Sequence, residues 1–300
     1  MGKVLQLTPL TLLAANYVGS HTSHTDIGTY SNTAVTPGPG DPALREPYPY
    51  ITPTFYDRSE GRASYEAFQF SLHRTSSKGL TYMVSYTWSK TMNIACDGMY
   101  GSEGCSVQDP YNLDGEKSVA GFDLTHNFSA SAVYQLPFGA ARKFASGSRA
   151  VNDVIGNWQL NAIVRLNSGI PHNINGDAAI PNTGNATERA EQIGNPKLSN
   201  PTTAEWFNTA AFTEPAPFTF GSFGRNAIRS DWGRNVDLSL FRDFRFRESK
   251  VLQFRAEFFN AFNNVVWGAP DSSLGDPTFG QVLSMANTPR QIQFALKLIF

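Results

Sequence analysis

The chain has 300 residues, of which 41% are hydrophobic, 13% aromatic and only 16% charged, with a formal net charge of −1. Charge is scarcer than the ~25% of ordinary soluble domains, and the near-neutral balance excludes the basic footprint of a nucleic-acid binder. No run of about 18 apolar residues is present, so no transmembrane helix is read; a mean hydropathy of −0.29 fits a soluble chain and equally fits strands with one polar face.

The N-terminus, Val4 to Ala15, is broken by Gln6, Thr8 and Pro9. It lacks the clean apolar core and small-residue cleavage site of a signal peptide and reads as strand. Next, His21 and His24 lie three apart beside Asp26. A metal pair is one reading; a solvated turn is the simpler one.

Period-two alternation then dominates the chain. Leu80, Tyr82, Val84, Tyr86 and Trp88 alternate with Thr81, Met83, Ser85, Thr87 and Ser89. From 122 to 136 the even positions are almost all apolar, as in Phe122, Leu124, Phe128 and Tyr134, and the odd ones almost all polar. The same rhythm runs through Trp158–Asn167, Asn235–Leu240, Leu252–Phe258 and Gln291–Phe300. A helix would scatter these residues around its circumference.

The predicted strands are 9–18, 23–30, 62–75, 79–91, 121–136, 154–168, 216–226, 234–246, 250–262, 278–286 and 290–300. The seventh rests mainly on strand parity. Many exceed the ~5–6 residues of globular strands and match the ~9–11 that a tilted membrane strand needs. The expectation is an all-β fold: an antiparallel transmembrane β-barrel, present in part, with about 10–12 strands.

Connections fall into two classes. Short ones are read at 76–79, 247–250 and 287–289, and long ones at 31–61, 92–120 and 175–215. With the C-terminus in the periplasm, counting back through eleven strands puts every long loop outside. The same count makes the short turns at 247–250 and 287–289 external too.

Cys96 and Cys105 share the Gly-rich loop 92–120. They suit a local disulfide in an oxidising compartment, or two free thiols; no CxxC spacing marks a metal site. Asp97, Glu103, Asp109 and Asp114 dot the same loop without EF-hand spacing. Aromatics near strand ends, among them Tyr82, Tyr86, Trp88, Phe122, Tyr134, Phe138, Trp158, Trp232 and Trp267, are expected to form girdles at lipid headgroups.

Charges at mid-strand polar positions are Arg165, Asp237, Asp243, Arg245, Arg255, Glu257 and Lys297. In a small dry core each would cost several kcal/mol unless paired. A wet lumen, or a plug docked inside it, removes that cost. No GxSxG, P-loop, GxGxxG or HExxH motif occurs, so no enzyme and no cofactor is read.

Several segments carry a family likeness: "NVDLSLFRDFRF", "LQFRAEFFNAFN", "FGQV", "TPRQIQFALKLIF", "FQFSLHRTSSKGLTYMVSYTWSKTMN", "FDLTHNFSASAVYQLPFG" and "GNWQLNAIVRLNSGIP". The chain from about residue 60 onward, and more loosely "NYVGSHTSHT" before it, resembles the TonB-dependent receptor superfamily, and more closely its Oar-like barrels. The resemblance implies a 22-strand barrel in the outer membrane of a Gram-negative bacterium, an N-terminal plug and a short TonB-contact segment. It implies that Ile292, Phe294, Leu296, Leu298 and Phe300 form the C-terminal signal read by the barrel-assembly machinery. It also implies that "FFNAFN" at 258–263 precedes the last periplasmic turn.

No plug, TonB-contact segment or carboxypeptidase-like domain is read in residues 1–300. The expectation is therefore the C-terminal portion of a larger barrel, because an odd, half-sized strand set leaves open edges. The expected partners are outer-membrane lipid, the assembly machinery, an unidentified small ligand, and TonB only through an N-terminal part. Three functions are weighed: ligand uptake or surface binding by such a receptor, a structural or adhesive barrel without transport, and a soluble all-β enzyme or carbohydrate-binding sandwich.

Overall fold

A computed structural model describes residues 2–75, 78–94, 107–140, 142–185, 187–247 and 250–300. Nine long strands run through them: β1 (Gly2–Thr8), β2 (Thr11–Ser31), β3 (Thr54–Arg74), β4 (Leu80–Asn93), β5 (His126–Gln135), β6 (Trp158–Asn167), β7 (Gly233–Arg247), β8 (Lys250–Phe259) and β9 (Gln291–Ile299). Each pairs antiparallel with its neighbours in chain order, and Ser118–Val119 adds a short tenth strand beside β4. Among the described residues β1 and β9 do not pair with each other, so the sheet is open. This is part of a barrel, not a closed one.

The register carries the alternation across strands. Residues opposite one another point to the same side. One row on the polar side reads Val133, Asn161, Ser239, Glu257 and Gln293. The adjacent row, on the other side, reads Ala132, Ala162, Leu238, Phe258 and Ile292. The apolar side is uncovered: Phe68, Phe70, Trp88, Leu160, Leu166 and Leu296 are exposed, and Phe294 is 67% exposed. Leaving such side chains in water forgoes ~1.5–3 kcal/mol each.

The predicted strands at 9–18 and 23–30 are one strand, β2, bent by register shifts between Ser23 and Ile27. A separate β1 precedes it, turned at Pro9 and Leu10. β3 begins at Thr54, inside the segment read as a loop. The predicted strands at 216–226 and 278–286 do not exist. Both lie in long connections, where the second makes only isolated bridges, Pro270 to Val282 and Trp267 to Met285.

Losing those two strands corrects the topology. β1, β3, β5 and β7 end, and β2, β4, β6 and β8 begin, at one end of the sheet, with the end of β9. The connections at 32–53, 94–125, 168–232 and 260–290 lie at the other. β7 therefore ends and β8 begins at the end of the sheet where β9 ends, not at the long-loop end where the eleven-strand count puts them. "FFNAFN" leads into the 260–290 connection at the long-loop end, so it does not precede a turn on the C-terminal side. Asn260 and Asn263 stop β8 there by taking positive φ, 47° and 53°.

At the turn end, the 136–157 connection carries one helix, α1 (Arg149–Ile155), as the only α-helix among the described residues. Its end is pinned against Gly139, whose φ is 102° and where a Cβ would come within 2.6 Å of the Gly156 Cα. Only glycine tolerates both the angle and the approach.

A folded loop assembly and a cleft at the mouth of the sheet

The sheet itself buries few apolar side chains; most of the core sits in the long connections. Ile174, Ala190, Phe207, Ala211, Phe212, Phe223 and Ile228 form one buried cluster, with Trp206, Leu274 and Phe279 packed on it. Phe212 meets Phe223 edge-to-face at 5.0 Å, and Phe207 meets Phe279 at 5.2 Å. Two-residue strand pairs, Pro171–His172 with Ile228–Arg229 and Glu191–Gln192 with Phe212–Thr213, tie the 168–232 connection to itself.

Buried charges lock the connections together. Arg189 Nη1 lies 2.7 Å from Glu116 Oε2, both side chains being buried. Arg189 Nε donates to the Phe223 carbonyl at 2.9 Å, and Gln108 N donates to Glu116 Oε1 at 3.1 Å. Arg229 pairs with buried Asp123 at 2.6 Å, and Asp123 also accepts from Thr91 N at the end of β4. Arg225 donates to the carbonyls of Glu116 and Asn93. These contacts join the 94–125 and 168–232 connections to the sheet.

Glu188 is 1% exposed. Its Oε1 accepts from Gly221 N at 2.6 Å and Arg189 N at 3.1 Å, while Oε2 has no hydrogen-bond partner among the described residues. Burial pushes its carboxyl up to about 7, against the pull of those two N–H groups and the Arg189 charge. Position 221 must be glycine, since a Cβ there would sit 1.9 Å from the Arg189 carbonyl oxygen.

A cleft of about 490 Å³ opens where this assembly meets the polar side of the sheet. β6 and β7 supply Arg165, Asn167 and Asn235, the 168–232 connection supplies His172 and Asp231, and the 260–290 connection supplies Trp267 and Asn287. Asp231 holds Arg234 at 2.5 Å and accepts from Trp267 N. Burial pulls the His172 imidazole below its usual value, so it is neutral near pH 7.

The mid-strand charges read from the sequence, Arg245 apart, share one side of the sheet. Asp237 accepts from Asn235 Nδ2 and Asn260 N, both at 2.9 Å. Asp243 accepts from Gln253, which also accepts from Arg255 Nε at 2.7 Å. The Arg255 guanidinium lies over Phe241 at 4.7 Å. Arg165, Glu257 and Lys297 lie on the same side by register, and Arg245 sits opposite Val251 near the turn end. Ile292, Phe294, Leu296 and Leu298 line the apolar side of the edge strand, and Phe300 beyond it is exposed.

Other expectations land elsewhere. Cys96, Cys105, Asp97 and Glu103 lie outside the described residues. Asp109 caps Tyr111 N at 2.9 Å and Asp114 pairs with Arg62 at 2.9 Å. His21 lies 3.6 Å from Glu66, and His24 contacts its neighbour Ser23. The aromatics do stack on the apolar side at the loop end: Phe68 on Trp88, and His126 between Tyr86 and Trp232. Trp267 instead lines the cleft. Sequence reasoning missed Arg242, which lies on the apolar side near the turn end. It stacks on Trp158 and Phe244 and donates to the Asp153 carbonyl. Its even number, inside a set that is otherwise apolar from Val236 to Phe246, was the available signal.

Residues 5–293 match the model of a family described as the outer membrane beta barrel domain. The chain belongs to that family. Among solved structures it is similar to the outer membrane transporter YddB from Escherichia coli. The TM-score is 0.50 and the identity 8%, over 99% of this chain and 31% of that one. At this identity the likeness is one of fold, and the chain spans about a third of the transporter's length. No curated protein sequence matches the chain.

This outer-membrane β-barrel protein thus resides in the cell outer membrane. The family membership sets aside the soluble sandwich, and it explains the uncovered side of the sheet: hydrocarbon, not water or a second sheet, covers Phe294 and its neighbours.

Proposed function

We propose that residues 1–300 are the C-terminal portion of the barrel of a TonB-dependent, Oar-like receptor that binds a small ligand outside the cell and admits it. The observation that carries this reading is a polar sheet face capped at one end by a folded loop assembly that leaves a cleft open to that face. The polar side then lines the path, and Arg165, Asp237, Asp243, Arg245, Arg255, Glu257 and Lys297 set its electrostatics. The turn end is periplasmic, and the apolar stripe ending at Phe300 is the segment read by the assembly machinery.

Strand direction supports the larger barrel. β1 and β9 run the same way, so all-antiparallel closure takes an odd number of further strands. A second copy in the same orientation would meet β9 with a parallel β1. The 22 strands of the resembling family leave 22 − 9 = 13, an odd number, for the rest of the barrel.

The second reading is an adhesive or structural barrel, favoured by the loop assembly having a core of its own. Uptake separates the two. Cells making the full polypeptide should accumulate ligand only while the inner-membrane proton gradient stands; accumulation unchanged by collapsing it, or none at all, would refute TonB-driven transport.

A further inference from the structure

The chemistry of the mouth cleft narrows the ligand, given the uptake reading above. Its charges do not cancel. Asp231 is committed to Arg234, His172 is neutral through burial, and Asp237, on the same side of β7, keeps its charge but stands outside the lining, its oxygens held by Asn235 and Asn260. The Arg165 guanidinium remains, exposed on β6, with no hydrogen-bond or ion-pair partner among the described residues. A guanidinium is a fork of donors shaped for a planar carboxylate.

The rest of the lining suits hydroxyls. Asn167 and Asn235 donate their Nδ2 groups to the Ser168 carbonyl and to Asp237 and, among the described residues, keep amide oxygens free to accept, while Asn287 is engaged through both amide atoms, by Asn264 O and Val266 N. Trp267 adds an aromatic surface, and its indole N–H has no partner among the described residues. Gly169, Gly233 and Gly268 bring bare backbone to the wall. The volume lies within the ~300–1,000 Å³ of small-ligand sites.

We infer that this cleft binds a sugar acid, with the ligand carboxylate on Arg165, its ring against Trp267 and its hydroxyls donating to the amide oxygens of Asn167 and Asn235. A neutral sugar would leave the Arg165 charge unanswered, and an apolar ligand would leave the amide oxygens of Asn167 and Asn235 without a donor.

The test uses outer-membrane vesicles carrying the full polypeptide and two probes, galacturonate trisaccharide and its uncharged galactose counterpart. Equilibrium binding is measured without energisation, so transport plays no part. The acid should bind and the neutral sugar should bind at least about ten-fold more weakly. Arg165→Gln should erase that difference while keeping heat-modifiable gel mobility, the mark of a folded barrel. Should Arg165→Gln fail to fold, Arg165→Lys keeps the charge and should keep the preference for the acid. Equal binding of the two probes, binding indifferent to Arg165→Gln, a lost preference in Arg165→Lys, or binding of neither probe would overturn the assignment. Arg165-dependent binding without energised accumulation would instead uphold the cleft and refute uptake.

Discussion

The sheet and the loop assembly are stabilised in opposite ways. The sheet has almost no interior: its apolar side chains lie uncovered on one side, and its stability depends on the phase around it. The loop assembly behaves like a small water-soluble domain, with a phenylalanine cluster, paired buried charges and a buried carboxyl. One chain thus folds against two solvents, and a substitution reports which solvent its site faces.

The largest expected effect lies in the assembly. Phe223→Ala removes a fully buried ring at the centre of the cluster and should cost the assembly about 3–5 kcal/mol. Hydrogen exchange should show the 168–232 connection opening while β4 to β9 stay protected. Simultaneous loss of protection in the strands would mean that the two regions are one cooperative unit.

Next comes the sheet. Phe294→Arg should cost roughly 2–4 kcal/mol in membranes, the penalty for a cation on the lipid side near mid-depth. Gln293→Arg, one residue away on the other side, should cost far less. Denaturant titration in lipid vesicles measures both; equal costs would erase the distinction between the two sides.

A pH effect follows, confined to the assembly. Folded Glu188 titrates at about 7, above its ordinary 4.5, so the folded state holds a proton that the unfolded state releases. That contribution is whole below about 4.5 and is lost as pH rises through about 7. Protease resistance of the loops should therefore fall between about pH 5 and about pH 8, and Glu188→Gln should flatten the profile. A wild-type profile that rises over this window would contradict the environment described for Glu188.

The smallest effect is at the surface. Arg62 and Asp114 pair at 2.9 Å, yet both are largely exposed, and breaking them by Arg62→Ala should change stability by less than about 1 kcal/mol. A larger loss, measured by the same denaturant titration, would show that this pair is shielded by more than the described residues.

The two regions also differ in how far the sequence disclosed them. The strands from Leu80 to Trp88, Trp158 to Asn167 and Gln291 to Ile299 were legible because period-two patterning is local and one side answers to a single solvent. The assembly was not, because its contacts are long-range. Glu116 meets Arg189 and Gln108 meets Gly221 across stretches that carry no period. The false strands at 216–226 and 278–286 fell there for the same reason, since Phe223 and Phe279 pack on a loop core rather than alternate on a sheet. Of the cleft, the sequence disclosed Arg165 as a polar-side charge, but not that Trp267, read as a girdle residue, would stand with it.

The central claim is that neighbouring residues on one strand face different phases. Spin labels at Phe294 and Gln293 on β9, and at Phe68 and Gln69 on β3, test it in lipid bilayers with oxygen and a water-soluble nickel chelate as relaxants. Oxygen should dominate at 294 and 68, and the chelate at 293 and 69. Equal accessibility within both pairs would contradict the account.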